Sequence, residues 1–91
     1  MNTGEIQNML RGKVPEFARK VKPIYSLLEW EWGEDKVPTV EEIEEALYEL
    51  IDGLKDDETR LGTGGLYIGI DKADGQASLS MVIDEFVYWN I

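Results

Sequence analysis

LYIGIDKADGQASLSMVI, residues 66–83, decides how this chain folds. Leu66, Ile68 and Ile70 alternate with Tyr67, Gly69 and Asp71. Beyond DKADGQ, Ala77, Leu79, Met81 and Ile83 alternate with Ser78, Ser80 and Val82. A period of two places one set on each side of an extended chain, so the stretch predicts two half-buried antiparallel strands, 66–71 and 77–83. The six residues Leu66, Ile68, Ile70, Leu79, Met81 and Ile83 are then expected to face a helical layer. Asp74-Gly75 suits the turn, because glycine accepts a positive φ without a Cβ clash.

Two features around this hairpin imitate ligand sites. Gly62, Gly64 and Gly65 form a glycine cluster, yet no GxxxxGK[ST] or GxGxxG pattern exists, and the glycines precede a strand rather than a helix. They read as a flexible connection from helix to sheet. Asp71 and Asp74 beside Gly75 suggest a calcium loop. With Gly75 as its sixth residue, positions one, three and twelve fall on Ile70, Lys72 and Met81, none of which offers a carboxylate.

Upstream, PTVEEIEEALYELIDGL (residues 38–54) carries a helical period. Thr39 and Glu42 have the spacing of a capping box. Val40, Ile43, Leu47, Leu50 and Leu54 follow at steps of three and four, with Ala46 and Ile51 widening the stripe. A helix is expected near 40–55. Further upstream Val14, Phe17, Ala18, Val21, Tyr25 and Leu28 keep the same period. Pro15 suits a first helical turn, whereas Pro23 removes the bond to the Arg19 carbonyl, so a kink or two helices meeting near Lys22 are expected. Residues 3–10 add a short helical turn, and EFVYWNI (85–91) a third strand or a segment packed across the sheet. The predicted architecture is one α+β domain over residues 1–91. N-terminal helical segments and a capped central helix pack on an antiparallel β-hairpin or small three-stranded sheet.

The 91 residues contain no cysteine and no histidine, which excludes disulfides, thiolate metal sites and the commonest general base. Serines 26, 78 and 80 thus have no histidine to activate them, and no SxxK pattern replaces it. The N-terminus lacks the pattern of a signal peptide and no run approaches the about 20 apolar residues of a membrane span, so a cytoplasmic location is expected. No catalytic, cofactor-binding or metal-binding residues are predicted.

Charge is the positive signal. The net charge is −10, and it is segregated. Residues 1–22 carry five bases (Arg11, Lys13, Arg19, Lys20, Lys22) against Glu5 and Glu16, while from Glu29 to Glu58 thirteen acids face only Lys36 and Lys55. Such a surface repels a phosphate backbone and attracts a protein partner with a basic surface. Glu41, Glu42, Glu44, Glu45, Glu49 and Asp52 lie on the outer side of the central helix, and Glu41, Glu42, Glu45, Glu49 and Asp52 are the expected partner-binding residues. Glu41–Glu45 and Glu45–Glu49 are like-charge i, i+4 pairs, each costing the helix about 0.2–0.5 kcal/mol. A plain solvated face competes with partner binding as the explanation.

Trp30 and Trp32, on either side of Glu31, are core rings or interface anchors. The expected function is a non-enzymatic acidic binding protein, an inhibitor or DNA-mimic modulator of a basic partner being one version. The alternative is a structural or assembly protein of a phage or mobile element that forms homo-oligomers. A small hydrolase or metal-dependent enzyme is the third reading.

Overall fold

The computed structural model describes residues 2–27, 37–55, 60–63, 65–71, 73–83 and 86–91, with backbone alone at 60, 61 and 63. Within these residues the fold is α+β. Helices α1 (Thr3–Leu27) and α2 (Val40–Asp52) pack on one antiparallel sheet. Its strands are β1 (Arg60–Thr63), β2 (Leu66–Asp71), β3 (Gln76–Ile83) and β4 (Phe86–Asn90), in the spatial order β1-β2-β3-β4.

Helix α1 starts where Asn2 caps it: the Asn2 Oδ1 accepts the Glu5 amide at 2.9 Å and the Asn2 side-chain amide donates to Glu5 at 3.2 Å. It then runs unbroken through both prolines to Leu27. The expected break near Lys22 is absent, and Pro15 lies well inside the helix instead of in a first turn. An interior proline costs about 3 kcal/mol. Against this, Ile6, Leu10, Val14, Phe17, Ala18, Val21 and Tyr25 form one buried stripe that crosses both prolines. Full burial of a large apolar side chain contributes about 1.5–3 kcal/mol, so the stripe outweighs two prolines on the exposed side of the helix.

Helix α2 has both arms of its capping box. The Glu42 amide donates to Thr39 Oγ1 at 3.1 Å and the Thr39 amide donates to the Glu42 carboxylate at 3.0 Å. It ends at Asp52, three residues before the predicted limit, with the Gly53 amide closing on the Glu49 carbonyl at 3.1 Å. Ile43, Leu47 and Ile51 are buried. Lys22 Nζ of α1 donates to the Pro38 carbonyl at 2.6 Å and so ties α1 to the entrance of α2.

Strands β2 and β3 pair in the predicted register face, Leu66 opposite Met81, Ile68 opposite Leu79 and Ile70 opposite Ala77. Leu66, Ile68, Ala77, Leu79 and Met81 are buried, and Ile70 and Ile83 pack against the core at partial burial. The hairpin loop uses Gly75 at φ +66°. The Asp71 carboxylate accepts the Asp74 amide there at 3.2 Å, which is the side-chain turn that aspartate favours.

The glycine stretch differs from expectation. Gly62 belongs to a fourth strand, β1, whose Thr63 pairs with Leu66 and leaves two residues to turn the chain; Gly65 does so at φ +87°. Gly64 lies outside the described residues. A side chain at 62 would fall on the Tyr67 ring and within 2.9 Å of the Leu66 carbonyl oxygen. Close approach, more than flexibility, therefore explains that glycine. On the other side β4 supplies the expected third strand. It joins β3 with a register shift between Met81 and Val82.

The layers are ordered across the sheet: α1 packs on β3 and β4, α2 packs on β1 and β2, and the helices contact each other. The basic N-terminal helix thus flanks the β4 edge, and the acidic helix flanks β1. No helix among the described residues is long and apolar enough to cross a membrane.

Candidate functional site

With Ile43, Leu47 and Ile51 turned into the core, a period of 3.6 turns Glu41, Glu45, Glu49 and Asp52 outward. These four, together with Glu44 and Tyr48, line a shallow, open depression of about 470 Å³ along α2. Among the described residues no basic side chain lines it. Tyr48 is half-buried and packs partly against the core, which places an aromatic ring among the carboxylates.

Glu42 stands apart from this depression. Its carboxylate accepts the Thr39 amide, and that bond, aided by the Thr39 hydroxyl, holds its pKa below the ordinary value of 4.5. Glu42 therefore acts as a capping residue. Asp52 is shared: Arg11 Nη2 of α1 reaches its carboxylate at 2.6 Å, so part of its charge is neutralised within the chain. Glu44 belongs to the outward acids that the sequence shows, whereas Tyr48 is the member that charge counting misses. Its spacing of seven residues from Glu41 carries the same helical period.

Trp30 and Trp32 lie outside the described residues. Trp89 packs partly against the core with Lys20 Nζ 5.0 Å from its ring centroid, a cation–π arrangement across α1 and β4. Its indole N–H is buried and has no hydrogen-bond partner among the described residues.

A second groove, of about 510 Å³, lies where α1 meets the turn end of the hairpin, between Met9, Lys13, Asp71, Gln76, Ala77 and Ile91. The two charged side chains among the described residues that line it are both engaged. Lys13 Nζ donates to the Ala77 carbonyl at 2.9 Å, and Asp71 holds the Asp74 amide. Among the described residues no three carboxylates stand close enough to share a metal ion. Ser26 Oγ donates to the Lys22 carbonyl at 3.2 Å. Burial raises the Tyr25 phenol above its ordinary pKa of 10.0, which keeps it neutral.

What the α2 depression can do chemically follows from its donor set. It offers several negative charges and a ring face on a rigid helix, suited to guanidinium and ammonium groups. No family model, no curated protein and no solved structure matches the chain.

Proposed function

We propose that this chain is a non-enzymatic binding protein whose α2 face docks a basic surface on a partner protein. The observation that carries this reading is the alignment of Glu41, Glu44, Glu45, Glu49 and Asp52 along one open depression with no basic residue among the described residues of its lining. From Glu41 to Asp52 the helix rises roughly 16 Å, so the face presents about one charge per 4 Å of axis. A single DNA strand presents one charge per about 3.4 Å. That similarity favours a partner built to bind nucleic acid, blocked or modulated by a protein surface of phosphate-like charge density. The same charge disfavours direct contact with nucleic acid.

The like-charge pairs support the reading energetically. Glu41–Glu45 and Glu45–Glu49 each cost about 0.2–0.5 kcal/mol, a cost that a mixed-charge surface would avoid.

The test replaces Glu45 and Glu49 together by glutamine. Thermal melting is measured beside association kinetics with an arginine-rich peptide as probe, at low and high salt. The double variant should melt slightly higher, associate more slowly and lose part of the salt dependence, because exposed interface charges act mainly through the association rate. Glu16→Gln with Asp74→Asn removes two charges elsewhere and should leave the rate near that of the parent. Equal slowing by both pairs would reduce α2 to a share of the net charge and sink the proposal.

A further inference from the structure

The β4 edge carries an inference that goes beyond the acidic face. β4 is the last strand of the sheet, and among the described residues its outer side meets no further strand. Phe86, Val87 and Tyr88 are 70%, 62% and 47% exposed. Residues 86–90, FVYWN, contain no charge and no proline, the usual means by which an edge strand is protected from pairing.

The direction of its backbone groups can be read residue by residue. Leu79 and Ile91 exchange both backbone hydrogen bonds, at 2.8 and 2.9 Å, so Ile91 points its amide and carbonyl at β3. Trp89, opposite Met81, also points inward, and Asn90, opposite Ser80, points outward. Across the register shift, Val82 sends its amide to the Gly65 carbonyl on the β2 side at 2.7 Å. Its partner Val87 therefore has its amide and carbonyl directed outward. The free groups of this edge sit at 87 and 90, three residues apart. In a regular strand they recur every second residue.

A regular strand set against this edge leaves one residue of β4 unmatched, as β3 does on the inner side. Another β4 leaves none. Run antiparallel, Val87 of one copy meets Asn90 of the other and Asn90 meets Val87, so both irregular spacings coincide. We infer that the β4 edge docks a second copy of this chain, joining two four-stranded sheets into one through the paired Val87 and Asn90 backbones.

Charge favours this edge over the β1 edge for the same purpose. α2 packs on β1 and β2, and α1, which exposes Arg19, Lys20 and Glu16, lies over β3 and β4. With helices packed about 10 Å apart, the two acidic helices of a β4-joined pair stand about 30 Å apart, beyond the about 8–10 Å Debye length. Pairing through β1 would bring them together.

The contact is short beside the about 800 Å² per partner of a standard interface, so dissociation in the range of tens to hundreds of micromolar is expected. Analytical ultracentrifugation of the full chain, up to about 1 mM, should show twice the 10.4 kDa monomer mass and nothing larger, because a two-fold contact closes on itself. Backbone exchange should slow at Val87 and Asn90 as concentration rises. Val87→Pro removes an outward amide without touching the ladder to β3, and should leave a folded monomer. Should that variant unfold, Val87→Lys places a charge on the same exposed position and should weaken pairing at least tenfold. A parent that stays monomeric, species larger than two, or dimers that persist in Val87→Lys would overturn the inference. So would dimers that dissolve at high salt, since attraction between acidic and basic surfaces would then be holding them.

Discussion

The Arg11 guanidinium bridges from the middle of α1 to the Asp52 carboxylate in the last turn of α2, 2.6 Å away, and also contacts Asn8 Oδ1 at 2.9 Å. Both charged side chains remain substantially open to solvent, at 40% and 63% exposure. Screening by water makes such a pair worth about 0.2–1 kcal/mol. Its larger consequence concerns the acidic depression, since Arg11 is a base that the fold brings to Asp52 in its lining.

Arg11→Gln therefore separates stability from binding. The variant should lose no more than about 1 kcal/mol in urea denaturation. Association with an arginine-rich peptide should become faster than in the parent at low salt, because Asp52 regains its full charge. A slower association would mean that Arg11 holds the face in shape and not that it masks it.

The elements legible in the sequence are those whose signal is local. Thr39 and Glu42 announce a cap three residues apart, and the alternation from Leu66 to Ile83 fixes which side chains turn inward. The misread elements depend on partners far along the chain. Pro15 and Pro23 look like boundaries until the stripe from Ile6 to Tyr25 is seen to cover β3 and β4 without interruption. Gly62 looks like linker until Tyr67 is placed across it. In the candidate site, Glu42 counts as one more acid until its carboxylate is found on the Thr39 amide. Sequence counts charges, and only the fold tells which of them are already engaged.

Pro23 offers a direct test of that competition between packing and backbone. It is exposed, and the helix continues through it to Leu27. Alanine at 23 restores an amide able to donate to the Arg19 carbonyl and relieves the ring clash with that turn. Pro23→Ala should raise stability by about 1–3 kcal/mol, the upper part of the range being offset by the looser unfolded chain. The urea midpoint should rise without a change in the denaturant slope. A fall in the midpoint would show that the proline sets a bend on which the packing of Tyr25 depends.

Glu42 makes the stability of the chain depend on pH in a definite direction. Its carboxylate accepts the Thr39 amide at the N-terminus of α2, and its folded-state pKa lies below the ordinary 4.5. A carboxylate whose pKa is lowered by folding contributes stability above the unfolded value and loses that contribution as the pH falls through the folded value. Glutamine keeps an oxygen for the capping box without a titrating group. At neutral pH the parent should therefore be more stable than Glu42→Gln, helped also by the positive end of the helix dipole. The margin should shrink as the pH drops below 4.5 and vanish once the lower folded-state value has been passed. All other carboxylates are common to both proteins, so the general relief of negative repulsion in acid cancels from the difference. Urea midpoints of the two proteins, taken stepwise from about pH 7 to about pH 3, measure that margin. A margin that stays constant or widens on acidification would remove Glu42 from the cap as an ionised partner and return it to the outward acidic face.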